Sequence, residues 1–128
     1  MQINSSTNYN AAKNHNPEFG SIKLYGGADD VLKKVLKPEE WLEFREIAVK
    51  AAKNTEADAI FWGYGSKKLT GRAVSTDSMN AEDYSQRLFE KPLSFIKRVC
   101  KKADLFSEKI REKQKINFDV DELLDNLK

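Results

Sequence analysis

The stretch from Ala59 to Val74 constrains the fold more than any other part of this chain. Ala59-Ile60-Phe61-Trp62-Gly63-Tyr64 is uncharged and rich in aromatic residues, the composition of a strand. Gly65-Ser66-Lys67-Lys68 is a turn, and Leu69-Thr70-Gly71-Arg72-Ala73-Val74 is a return strand. The pattern predicts a β-hairpin over about residues 58–75 with a four-residue loop. A lone hairpin is marginal in water, so this one needs further strands and a cover for its apolar face.

The rest of the chain offers both. Phe19, Ile22 and Leu24 alternate with polar residues before Gly26-Gly27, which predicts a short strand over residues 20–25. Val31, Leu32, Val35 and Leu36 follow Asp29 and Asp30 at helical spacing. Pro38 opens a second helix, with Glu39 and Glu40 in its first turn and a stripe of Trp41, Phe44, Ala48 and Ala51. Asn54 is a candidate left-handed cap for its end. Asn80 reads as an N-cap for a helix bearing Tyr84, Leu88 and Phe89. Pro92 then kinks that helix or starts another. From Leu93 the stripe is strong, through Ile96, Val99, Cys100, Ala103, Phe106 and Ile110. Asp119 reads as the cap of a separate short acidic helix with Val120, Leu123, Leu124 and Leu127 on one face.

The expected fold is therefore α+β. A small antiparallel sheet, the hairpin joined by the strand near residues 20–25, packs on three or four helices in two layers. Residues 1–18 are expected to be a disordered polar tail, with the Asn and Ser of Asn4, Ser5, Ser6, Asn8, Asn10, Asn14 and Asn16 and few apolar groups. Residues 19–128 then form one domain, consistent with a chain of 128 residues.

Small counts narrow the chemistry. The chain has one cysteine, Cys100, and one histidine, His15. An internal disulfide needs a pair, and zinc sites usually draw on several Cys and His ligands. A Ser-His-Asp or Cys-His site would have to use His15, which lies in the polar leader. A carboxylate followed two residues later by lysine, common in metal-dependent nuclease strands, occurs nowhere. No cofactor and no metal site are expected, and the balance leans away from an enzyme. With 22 Lys+Arg against 20 Asp+Glu the net charge is +2, so bulk positive charge does not make this a nucleic-acid coat.

Two constellations remain. Ile60, Trp62 and Tyr64 share one strand face, with Lys67 and Lys68 at the turn and Arg72 on the return strand. Such a surface can stack nucleobases and hold phosphates. The plainer alternative makes Ile60 and Trp62 the core face. The second constellation is helical. Residues 78–116 carry ten bases and six acids, a net of +4. Lys97, Arg98, Lys101, Lys102, Lys109, Arg111, Lys113 and Lys115 are expected on the side away from the core, facing solvent, nucleic acid, an anionic membrane or an acidic partner. Residues 117–128 carry Asp119, Asp121, Glu122 and Asp125 against Lys128, a net of −3. Leu123, Leu124 and Leu127 give that end an apolar stripe whose plainest use is packing onto the domain, with folding back onto the basic helix or entering a partner's groove as the alternatives.

The polar start resembles the uncleaved leaders of bacterial type III secretion effectors. That implies cytoplasmic synthesis with non-classical export. No apolar run suits a cleaved signal or a membrane span. The functional expectation is a non-catalytic binding or adaptor protein with a protein partner, bacterial and accessory or effector-like. The alternative is a single-stranded nucleic-acid binder using Trp62, Tyr64, Lys67, Lys68 and Arg72.

Overall fold

The computed structural model describes residues 18–19 and 21–127, so all but Glu18 of the tail expected over residues 1–18 lies outside the described residues. Glu18, which the sequence reading gave to that tail, belongs to the first strand, β1 (Glu18–Phe19). Next come β2 (Ile22–Tyr25), α1 (Ala28–Val35), α2 (Pro38–Ala51), β3 (Ala57–Tyr64), β4 (Lys68–Ser75), β5 (Ala81–Ser85) and α3 (Pro92–Asn126). The class is α+β, with a five-stranded sheet in the order β1-β2-β3-β4-β5.

The sheet is mixed, not antiparallel. β2 runs parallel to β3, from Ile22 beside Ala59 to Tyr25 beside Trp62. The reason is the connection: α1 and α2 both lie between these strands and carry the chain back to the starting end. β3 and β4 pair antiparallel from Ala57–Ser75 to Tyr64–Lys68.

Alternation sorts the strand residues. Ile22, Leu24, Ala57, Ala59, Phe61, Leu69 and Ala73 join one core with Val31 and Leu32 of α1, Phe44 of α2, and Phe95, Ile96 and Val99 of α3. The Phe61 and Phe95 rings meet edge to face at 5.9 Å, which places α3 on that side of the sheet. Alanines at 57, 59 and 73 let the helices approach closely. The alternative that put Ile60 and Trp62 in the core is overturned. They have the opposite parity to Phe61 and are only half-buried.

Three local expectations fail for stated reasons. The helix expected from Asn80 is instead β5, which pairs with β4 from Val74–Ala81 to Thr70–Ser85. The exposed edge of β4 takes the segment as a strand, and pairing outweighs the local cap signal. Asn80 serves the preceding turn: its carbonyl accepts the Ser75 amide at 2.8 Å. Phe89 has φ 66 and Leu88 and Phe89 are exposed, so they form no helical face. Asn54 is not left-handed; it works through its side chain. Its Oδ1 accepts the amides of Glu56 and Ala57, each at 3.1 Å, and the Ser107 hydroxyl. Its Nδ2 donates to Asp104 at 3.0 Å, tying the end of α2 to α3.

The separate acidic C-terminal helix does not exist. α3 is one helix of 35 residues. Between Leu93 and Asn126 there is neither proline nor glycine, so nothing stops it at Asn117. Asp119 is an interior residue rather than a cap.

Candidate docking surfaces

The first surface is the far half of α3. Its near half is held by the domain, with Leu93, Ile96, Val99, Ala103, Phe106 and Ile110 buried. Every residue from 111 to 127 is exposed. This arm is roughly 25 Å long at 1.5 Å per residue. It leaves beside the turn after β4, where the Lys113 ammonium helps lower the Asp77 carboxyl, after the larger effect of the Ser75 hydroxyl.

Helical spacing gathers the apolar side chains of the arm. Ile116, Val120, Leu123, Leu124 and Leu127 fall within about 100° of one another around the axis, while Phe118 lies opposite. Their exposures run from 47% at Val120 to 75% at Leu127, far beyond what the same residue types show in the core. Asp119 and Asp121 flank the stripe, and Glu122 lies towards the Phe118 side. The sequence pattern points to Leu123, Leu124 and Leu127 but not to Ile116, because the charge change at residue 117 separates it from them.

The second surface is the sheet face that the helices leave open. The register sets Tyr25 beside Trp62, Lys23 beside Ile60, Thr70 beside Trp62 and Arg72 beside Ile60. The Tyr25 and Trp62 rings meet edge to face at 6.1 Å. Gly26 takes φ +45 against the indole, and a Cβ there would stand 2.9 Å from Trp62 Cδ1. Tyr64 is 67% exposed on the same face. Tyr25 is the member the sequence reading missed, because the orientation of β2 brings it in.

The charges of this face are partly spoken for. Lys23 Nζ stands 3.2 Å from Asp58 Oδ2. Arg72 grips Asp83 with Nε at 2.6 Å and its second nitrogen at 3.2 Å. That contact lowers the Asp83 carboxyl and raises the Arg72 guanidinium. Among the described residues no carboxylate pairs with Lys67 or Lys68 at the hairpin tip.

The expected basic side of α3 is interrupted in the same way. Lys97 meets Glu43 at 2.9 Å, Arg98 meets Glu90 at 2.9 Å, and Lys102 lies 3.9 Å from Glu82. Lys102 and Lys109 also flank the Phe106 ring at 5.5 and 5.7 Å.

A groove of about 500 Å³ between α2 and α3 holds Cys100 among Glu43, Glu46, Lys50 and Lys101. Burial, with the Asp104 charge second, pushes the Cys100 thiol up to about 12. It stays protonated near neutral pH and does not act as a thiolate nucleophile there. Among the described residues no group of three or more His, Cys, Asp and Glu side chains is placed to hold a metal ion. No described helix is long and apolar enough to cross a membrane.

Comparison of the chain with known protein families, curated proteins and solved structures returns no match.

Proposed function

We propose that this chain is a non-catalytic binding protein whose docking element is the arm of α3. The observation that carries this reading is the solvent-exposed stripe of Ile116, Val120, Leu123, Leu124 and Leu127 on a helix that its own domain does not cover. Isolated helices of this length are marginal in water, so an arm of this composition gains stability by burying its stripe. Its acidic surround favours an apolar partner surface with a basic rim. An accessory or effector-like role in bacteria goes with the polar leader, and the lone thiol suits a reducing compartment.

The test is photo-crosslinking from single positions on the arm. A probe at Leu123 should give one dominant protein adduct. A probe at Gln114, well away from the stripe, should not. Equal labelling from both positions, or none, would remove the arm as a docking element.

A second reading is favoured by the open sheet face: Tyr25, Trp62 and Tyr64 would stack the bases of a single strand. The tie between Arg72 and Asp83 weakens it, since one of its cations is occupied. Salt-sensitive quenching of Trp62 by a mixed-sequence RNA, lost in Trp62→Phe, would support it; an unchanged signal at low salt would remove it.

A further inference from the structure

Among the described residues neither the stripe of the arm nor the open sheet face is covered, and the two fit one another. Resting on the arm's role as a docking element, we propose that the arm of one copy lies across the open sheet face of a second copy, and reciprocally.

Shape comes first. From Ile116 to Leu127 the stripe is about 17 Å long. The strands β2 to β5 span about 14 Å at 4.8 Å per strand. One short helix therefore covers this face, as α1, α2 and α3 cover the other. A sheet face carrying Tyr25, Ile60, Trp62 and Val74, all half-buried, is normally covered by a further element.

Charge comes second. The arm end is acidic through Asp119, Asp121 and Glu122. On strands β2 to β5 the face carries Lys23, Lys68 and Arg72 against Asp58 and Asp83, Glu18 of β1 stands in register with Lys23, and among the described residues no carboxylate pairs with Lys68 or with Lys67 at the tip. An arm laid against another arm in parallel register would instead set these acids beside their own copies.

Connectivity comes third. The arm continues a helix packed on the opposite side of its own sheet, and its residues 111–127 are exposed there. The arm leads away from its own open face, so an arm that covers such a face covers that of a second molecule. Reciprocal exchange closes the pair with two-fold symmetry and leaves neither arm nor sheet face free to propagate. Two contacts also double the buried area, bringing a short helix toward the roughly 1,200–2,000 Å² of stable interfaces.

The experiment is sedimentation equilibrium of the full chain over a wide concentration range, with two variants that alter only exposed or half-exposed positions. The arm variant is Leu123→Ser with Leu124→Ser. The face variant is Tyr64→Glu with Thr70→Glu, which sets negative charge against the acidic arm. Far-ultraviolet circular dichroism and unfolding of each variant at dilution check that the domain is intact. Wild type should be a dimer and each variant a monomer. A mixture of the two variants should recover a heterodimer, because one intact arm still meets one intact face. With one contact in place of two, its dissociation constant should be at least about 100-fold weaker.

A face variant that remains dimeric would show arm–arm pairing and overturn the proposal. So would a mixture that stays monomeric. Monomeric wild type overturns it too, and the crosslinking result then decides the reading beneath it. An adduct from Leu123 with a different protein keeps the arm as a docking element. No adduct removes both. Monomeric wild type whose Trp62 is quenched by a single-stranded oligonucleotide would give the face to nucleic acid.

Discussion

Glu90 holds Arg98 with both carboxylate oxygens, Oε2 at 3.0 Å from Nε and Oε1 at 2.9 Å from the terminal nitrogen. The same guanidinium donates to the Ser85 carbonyl at 3.0 Å and lies 5.3 Å from the ring centroids of Tyr84 and Phe95. One side chain thus fastens the end of β5, the loop after it and the first turns of α3. Glu90→Gln should lower unfolding free energy at neutral pH by about 1–3 kcal/mol, read by urea denaturation. The Arg98 hydrogen bond holds the Glu90 carboxyl below its ordinary value of 4.5. A carboxylate depressed by folding stabilises above its unfolded value and loses that contribution as pH falls through its folded value. The gap between wild type and Glu90→Gln should therefore be full near pH 7 and close below pH 4.5.

Asn54 is the second fastening. Replacing it by Ala strands the amides of Glu56 and Ala57 and the buried Ser107 hydroxyl at once. Thermal unfolding should show Asn54→Ala destabilised by about 2–4 kcal/mol, with Thr76→Ala, an exposed hydroxyl on the Glu56 carbonyl, changing little. Equal effects of the two would mean that the Asn54 network is not a support.

Gly26→Ala should perturb the open sheet face without touching the helix side. The new methyl meets the Trp62 indole at 2.9 Å, and the backbone keeps φ +45, a region Ala disfavours. We expect about 1–2 kcal/mol of destabilisation and a shifted Trp62 emission maximum, measured beside a Trp41→Phe background. An unchanged spectrum would mean that the turn relaxes away from the ring.

The Cys100 thiol should be slow to react. Unfolded, it ionises in the ordinary range for a thiol; folded, it is pushed up to about 12. Labelling by an aromatic disulfide at pH 8 should run at least about 100-fold slower in native than in urea-unfolded protein. Comparable rates would show the groove open to reagent and the thiolate accessible.

The arm should be energetically separate from its domain. At dilution, Leu124→Ala should leave unfolding free energy within about 0.5 kcal/mol of wild type, while Phe95→Ala lowers it by about 3–5 kcal/mol. Amide exchange should be fast beyond residue 112 and slow through Ile96 and Val99. A large effect of Leu124→Ala on the dilute monomer would mean that the arm folds back in solution.

How far these features could be read from the sequence depends on local competition. The α+β class and the helices at Ala28–Val35 and Pro38–Ala51 follow from stripes and first-turn residues that no tertiary contact opposes. The parity of β3 was illegible, because Ala57-Asp58-Ala59-Ile60-Phe61-Trp62 is apolar on both faces save for Asp58. Only the small alanines beside Phe61 hinted which face the helices would choose. β5 was illegible because Glu82 and Asp83 after Asn80 imitate a helix start, and the pairing with β4 that overrides it is non-local. The arm is half legible: its leucines stand out, but the charge change at residue 117 suggests a boundary that the helix does not have. Charge does not end a helix; proline, glycine or a competing cap does.

The edge-to-face meeting of Phe61 with Phe95 also sets an order of events during synthesis. All of the strands emerge before any of α3 does. Until then the nascent sheet presents Phe61, Leu69 and Ala73 without their main cover. At roughly 5–20 residues per second, the 35 residues of α3 take about 2–7 s to add. For that interval the growing chain carries a sticky sheet and no lid, which is when a holding chaperone has most to protect.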